Sequence, residues 1–281
     1  MEPQRAPIEY LLIGHLSRDL TPQGHTLGGS VAYASRTLAA MGVAVGVVTS
    51  CAAEEDLSPL TGIDLVCREA DETTTFENRY RAHGRSQRLL GRARPLGVDD
   101  IPTSWEKPPL VHLAPIADEV DPYLAKTFPA ALRVATPQGW LRRWDESGLV
   151  SPKPWRILLE ILPDLHAAAL SIEDLGGDEE ALEQLAGACP LLAVTRGAQG
   201  ATIFWHGQRR DLPAPQVQQV DPTGAGDIFA AVLFRGLQEG LDPYQAARGA
   251  IALAARSVNR HGLEGTPSPA EIQASLAGVG P

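Results

Sequence analysis

Apolar positions along the chain fall into two kinds of run. Residues 8–14 (Ile-Glu-Tyr-Leu-Leu-Ile-Gly), 43–49, 110–114, 132–135, 165–170 and 191–195 are short and almost continuously apolar. Runs of that length bounded by turn residues predict buried strands. Between them the spacing stretches to helical repeats. Val31, Ala34, Leu38 and Met41 predict a helix over 30–41 stopped by Gly42. Ile228, Phe229, Val232, Leu233 and Leu237 predict another ending near Gly240, and Asp242-Pro243 supplies a cap and first turn for a third through Ala247, Ile251, Ala254 and Val258. Segments 122–131, 154–161 and 178–187 are expected to be helical as well. Strand and helix in alternation predict an α/β fold: a mainly parallel central sheet with helices on both faces and ligands at the C-terminal ends of its strands.

Two stretches break the alternation. Residues 15–27 are short, polar and turn-rich. Thr73 to Arg81 and Ser86 to Leu90, joined near His83-Gly84, predict a hairpin too polar for a central sheet. Arg79, Arg81, Arg85, Arg88, Arg92 and Arg94 cluster there, as a solvated face, a phosphate-attracting surface or a contact between two copies. The 201–205 and 209–212 segments, joined at His206-Gly207, predict a further hairpin.

Composition narrows the class. A chain of 281 residues, 44% apolar and 21% charged, can bury a large core as one α/β domain over 1–281. Its net charge of −10 argues against nucleic acid or an anionic membrane as partner. An apolar run of the ~18 residues needed to span a bilayer is absent, and the first residues lead directly into a strand, so a cytoplasmic protein is expected. Cys51, Cys67 and Cys189 are odd in number and far apart along the chain, without zinc-ligand spacing, and are expected to be reduced thiols.

The candidate chemistry centres on Val220-Asp221-Pro222-Thr223-Gly224-Ala225-Gly226-Asp227, which opens the helix after it. The first amides of a helix have no intrahelical partners and the helix dipole adds positive character, so a glycine turn at that point suits an anion. Asp227 at this end either caps the helix or takes a proton from a nucleophile. None of the lysines, Lys107, Lys126 and Lys153, follows a glycine, which excludes a P-loop, and no Gly-x-Gly-x-x-Gly follows the first strand.

Asp221-Pro222-Thr223-Gly224-Ala225-Gly226-Asp227 resembles the signature of the ribokinase-like (PfkB) family of small-molecule kinases. The resemblance implies a ribokinase-like fold with a small β-sheet lid inserted at about 15–27 and 63–97. It implies that Asp227 activates the acceptor hydroxyl and that Gly224, Ala225 and Gly226 form the anion hole for the transferring phosphoryl group. Early positions match too: Asp19, Gly28 and Gly29 stand where the family contacts substrate hydroxyls, while Tyr33 replaces the Asn that many of its sugar kinases carry. Ser171-Ile172-Glu173-Asp174 falls where the family has Asn-x-x-Glu, whose acid supports Mg²⁺ through water; Asp174 takes that role here, with Glu173 as competitor. Thr195-Arg196-Gly197-Ala198-Gln199-Gly200 resembles the nucleotide loop, implying ATP phosphate contacts from Thr195, Gly197 and Gly200, with Ala250, Ala254 and Asn259 beside the adenine. Asp221 and Thr223 match positions that bind a monovalent cation such as K⁺ in some members.

Several segments together resemble the myo-inositol kinase branch: Gly14-His15 with Asp19, Thr74-Thr75-Phe76-Glu77-Asn78, and Gln138-Gly139 with Arg142. They imply ATP-dependent phosphorylation of a small polyol, with Asp19, Asn78 and Arg142 around it; a homodimer through the lid stays one of the alternatives left open for the arginine cluster. The alternatives are a ribose- or fructose-type sugar, a nucleoside, or a non-catalytic polyol or nucleotide sensor.

Overall fold

The computed structural model describes residues 7–21, 24–81 and 84–277. His83, in the expected hairpin turn, lies outside them, as do the side chains of Arg79, Arg81 and Arg85. In chain order the first strands are β1 (Tyr10–Ile13), β2 (Ser17–Thr21) and β3 (Gly24–Gly28), followed by helix α1 (Ser30–Ala40), then β4 (Val45–Cys51), β5 (Asp64–Glu69), β6 (Thr75–Arg81) and β7 (Gly84–Gly91). The middle of the chain carries β8 (Leu110–Leu113), β9 (Leu132–Ala135), β10 (Arg142–Trp144), β11 (Val150–Pro152), α2 (Leu158–Ile161) and β12 (Ala167–Ser171). The last third has α3 (Glu179–Ala186), β13 (Leu191–Thr195), β14 (Ala201–Trp205), β15 (Gln208–Leu212), α4 (Ala225–Gln238), α5 (Pro243–Ser257) and α6 (Pro269–Ala277).

Nine strands form the main sheet in the order β15-β14-β13-β12-β9-β8-β1-β4-β5. It is parallel from β13 to β5, and the β14–β15 hairpin adds antiparallel strands at one edge. Alternate residues of β1 serve opposite cores: Tyr10 and Leu12 pack with α1, α4 and α5, whereas Leu11 and Ile13 pack with α2 and α3 on the other face. Burial of both faces is why these strands read as continuous apolar runs. Among the described residues no helix is long and apolar enough to cross a membrane.

The lid is a separate sheet of order β3-β2-β6-β7, with β2 and β6 parallel and its other pairs antiparallel. Its second excursion begins at Thr75 rather than near residue 63, because β5 pairs with β4 and extends the main sheet. The small β10–β11 hairpin touches the lid through a bridge between Arg88 and Leu149 and was not anticipated from the sequence. His15, buried beneath the lid, ties both of its chain crossings: Nε2 lies 2.9 Å from the Arg94 carbonyl and Nδ1 2.7 Å from the Thr74 hydroxyl. A carbonyl only accepts, so Nε2 carries the proton; burial lowers the imidazole pKa and keeps the ring neutral.

One expected helix is corrected. Segment 122–131 forms a 3₁₀ turn, Pro122–Thr127, capped by Asp121. Pro129 disfavours helical geometry at Phe128, which sits at φ −114°, ψ 64° and ends the turn. Segment 154–161 is helical as expected: a 3₁₀ turn, Trp155–Ile157, runs into α2, and a further 3₁₀ turn carries the helical path through Pro163 to Asp164. Cys51 and Cys67, far apart in sequence, meet across β4 and β5, where their thiols hydrogen-bond; all the cysteines are free.

Candidate active site

Helix α4 starts from Gly224, whose φ of +79° is the left-handed conformation that glycine adopts without strain. Gly226 in its first turn is exposed, and nothing stands within 4 Å of where a Cβ would be. The first turn of α4 is therefore uncovered on the Gly226 side, as an anion cradle needs. Asp227 keeps a partly accessible surface where the lid meets the main sheet. Burial is the largest influence on its carboxyl and raises the pKa to about 6, against the lowering effects of a hydrogen bond from Ser30 and of the Arg142 guanidinium; Asp174 and Asp19 push it further up.

These influences show which residues the fold gathers. Asp19, on β2, lays its carboxylate against Gly28: a Cβ there would stand 2.4 Å from Oδ2. Gly29 caps α1 at φ +88° so tightly that a Cβ would meet the His15 carbonyl at 2.7 Å. Phe76 pairs with Asp19 across β2 and β6, and Asn78, two residues on, shares its face of the lid. Asn78 accepts a hydrogen bond from Gln87. Arg142 lies 5.7 Å above the Phe76 ring while donating to the Ile116 carbonyl at 3.1 Å. Its loop is seated by Gly139, which packs so closely on the Pro115–Ile116 peptide that a Cβ would come within 2.6 Å of the Ile116 nitrogen.

Asp174 belongs to a capping box on the short turn after β12. Its Oδ2 accepts from the Ser171 amide at 2.9 Å and its Oδ1 from Gln138 at 3.2 Å. Glu173 beside it is exposed, and Asp178 caps α3. Asp221 accepts from the amides of Thr223 and Gly262, each at 2.9 Å, joining the signature to the loop after α5. Burial opposes ionisation of Asp221, but the bonds from Thr223 and Gly262 outweigh it and hold the carboxyl below its usual range.

The expected nucleotide residues lie at the next strands. Thr195 ends β13 and donates to the Leu170 carbonyl at 3.4 Å, and Gly197 opens a 3₁₀ turn with φ +55°. Gly200, at φ +101°, stands where a Cβ would meet the Leu212 carbonyl at 2.0 Å, so closure of the β14–β15 hairpin alone demands glycine. Ala254 is half-buried and Asn259 exposed at the end of α5, whereas Ala250 is fully enclosed in the core and offers nothing to a ligand. Ser30, Phe76 and Gln138 complete the surroundings. Phe76 and Gln138 fall in segments the sequence had singled out, whereas Ser30 was missed although it carries a signal, a hydroxyl directly after Gly28-Gly29 at a helix start.

A parallel sheet covered by helices, a β-sheet lid and a carboxylate at a glycine-opened helix N-terminus define a ribokinase-fold phosphotransferase. Residues 164–271 match the pfkB family carbohydrate kinase model. The chain is 30% identical over 274 residues to inositol 3-kinase of Arabidopsis thaliana, covering 87% of this chain and 72% of that protein. It is 28% identical over 293 residues to inositol 3-kinase of Oryza sativa subsp. japonica, covering 95% and 72%. Among solved structures it superposes with a TM-score of 0.80, at 21% identity and over 94% of this chain and 99% of the other, on a pyrophosphate-dependent kinase of the ribokinase family complexed with a pyrophosphate analogue and myo-inositol. The chain belongs to the pfkB family of carbohydrate kinases and is a sugar or polyol kinase.

Proposed function

We propose that this kinase transfers the γ-phosphoryl group of ATP to a hydroxyl of a small cyclic polyol, myo-inositol, with Asp227 as the base. The observation that carries the reading is the Asp227 carboxyl, raised to about 6 beside an open helix N-terminus. At neutral pH such a group is mostly ionised yet basic enough to accept a proton. The acceptor hydroxyl gives its proton to Asp227 as its oxygen attacks the γ-phosphorus; the bond to the β-phosphate oxygen breaks and ADP leaves. The Gly224–Asp227 turn offsets the negative charge on the phosphoryl oxygens during transfer.

On the acceptor side Asp19, Asn78, Arg142 and the Gly28-Gly29 backbone supply directional hydrogen bonds. A polyol presents hydroxyls all around its ring, and a missing partner leaves a buried polar group unpaired, which is costly. The inositol 3-kinase relatives support this acceptor over ribose, fructose or a nucleoside. On the donor side Thr195, Gly197 and Gly200 face the ATP phosphates, with Ala254 and Asn259 beside the base.

Among the described residues no three His, Cys, Asp or Glu side chains come together to hold a metal ion. Magnesium characteristically keeps several waters and shares substrate phosphates with one or two carboxylates, and Asp174, with both oxygens already accepting hydrogen bonds, fits a contact through water. When bound, Mg²⁺ neutralises charge on the donor phosphates. Asp221, held ionised beside Thr223, fits a monovalent cation such as K⁺.

Measuring ADP release across myo-inositol, ribose, fructose and cytidine tests the assignment. Turnover with another acceptor and none with myo-inositol would overturn the substrate. Orthophosphate release from pyrophosphate, with ATP inert, would overturn the donor alone. Tight ligand binding without turnover for any pair would favour a non-catalytic sensor.

A further inference from the structure

Helix α1 meets the signature turn twice. Ser30 and Tyr33 are three residues apart and share one face of α1, while Gly224 and Asp227 are three apart at the start of α4. Ser30 hydrogen-bonds Asp227 at one end of the turn. At the other end the Tyr33 ring lies against Gly224, where three of its carbons come within 2.2–2.4 Å of the place a Cβ would take. The ring therefore fills the space that glycine leaves free. Tyr33 is 2% exposed, and its hydroxyl reaches toward Gly262, whose amide bonds Asp221 at the head of the same signature.

We infer that Tyr33 is a positioning residue for phosphoryl transfer: its ring props the Gly224–Asp227 turn from beneath and sets where the anion cradle stands relative to Asp227. Three properties make the contact suited to that role. Gly224 has left-handed geometry, so its peptide can pivot unless something packs against it. The ring is rigid and enclosed in the core that joins α1, α4 and α5. The base of α1 is itself fixed, since Gly29 lies against the His15 carbonyl and the Ser17 amide. A shift of the cradle by a fraction of an ångström misaligns the phosphoryl group with the acceptor oxygen, and misplacement on the order of 1 Å costs about 100-fold in rate.

The inference rests on the proposed role of the Gly224–Asp227 turn. The test uses the full chain with ATP and whichever of myo-inositol, ribose, fructose and cytidine the parent enzyme phosphorylates. Tyr33→Leu, which preserves much of the apolar volume, is expected to lower kcat by about 10- to 100-fold with the acceptor KM within about twofold. Tyr33→Phe is expected to restore kcat. Gly224→Ala is expected to cost markedly less kcat in the Tyr33→Leu background than in the parent, the coupling a shared contact produces. Additive effects of the two substitutions would overturn the inference, as would a raised acceptor KM at unchanged kcat or a lower melting temperature with kcat intact. Inactivity of the parent with every pair would instead overturn the role of the turn itself.

Discussion

The Ser30 hydroxyl, at the first position of α1, hydrogen-bonds the Asp227 carboxylate in the first turn of α4. Two helix starts thus converge on one acid. Helix N-termini and hydroxyl donors favour an ionised carboxylate, yet the Asp227 pKa is raised, to about 6, because burial is the largest influence and Asp174 and Asp19 add negative charge. The balance leaves a carboxyl that is mostly ionised at neutral pH yet more basic than a free aspartate, and it fixes the sign of several measurable effects.

Asp227→Asn is expected to lower kcat by about 100-fold or more, the range for a positioned base. In the parent, kcat/KM should fall with an acidic limb near pH 6, where the carboxyl becomes protonated. Near-normal turnover by the variant, or a limb near pH 4, would remove Asp227 from that role.

The same substitution should stabilise the fold. A carboxyl whose pKa is higher in the folded than in the unfolded chain binds its proton more tightly when native, so this group adds stability as pH falls from about 6 toward 3.8. Above pH 6 its charge is a burden on the native state. Asp227→Asn should therefore exceed the parent in stability by about 1 to 3 kcal/mol at pH 7.5, with the gap narrowing toward pH 4 in paired thermal melts. A gap that widens on acidification would contradict the burial account.

Removal of the Arg142 guanidinium takes away a charge that lowers the Asp227 pKa and a contact above Phe76. Arg142→Gln should shift the acidic limb to higher pH and raise the acceptor KM by about tenfold or more. Arg142→Lys should return the limb but not the KM, since a point charge lacks the planar fork. Unchanged profiles in both variants would place Arg142 outside the acceptor site.

Two glycines should respond oppositely to alanine. Gly200→Ala forces a Cβ to 2.0 Å from the Leu212 carbonyl at φ +101° and should destabilise the fold by more than about 2 kcal/mol in denaturant titration. Gly226→Ala meets open space within a helix and should leave the melting temperature equal or higher. On the proposed role of the turn as the anion cradle, the added methyl group should nonetheless lower kcat. Equal stability losses at the two positions would contradict this division.

Strands β1, β4, β8, β9, β12 and β13 were legible because helices bury both faces of the sheet there, leaving each a nearly continuous apolar run. The glycine turn with Asp227 was legible because its chemistry is local: seven consecutive residues hold the acid, the flexible peptides and the helix start. Segment 122–131 forms less helix than its apolar spacing suggests, because Pro129 disfavours helical geometry at Phe128. Residues 63–74 were assigned to the lid, although β5 within them continues the main sheet by pairing with Val45–Cys51. Pairing partners at such separations leave no local signal.

The sequence by itself determined the α/β alternation, the lid hairpin and the family signature, since hydrophobic period, turn residues and helix starts act over a few neighbouring positions. Only the tertiary structure decided that Ser30, Arg142, Asp19 and Asp174 surround Asp227 and that Tyr33 turns its ring to Gly224. Desolvation, charge interaction and steric fit depend on distances between side chains that are remote along the chain, and the folded packing alone sets those distances.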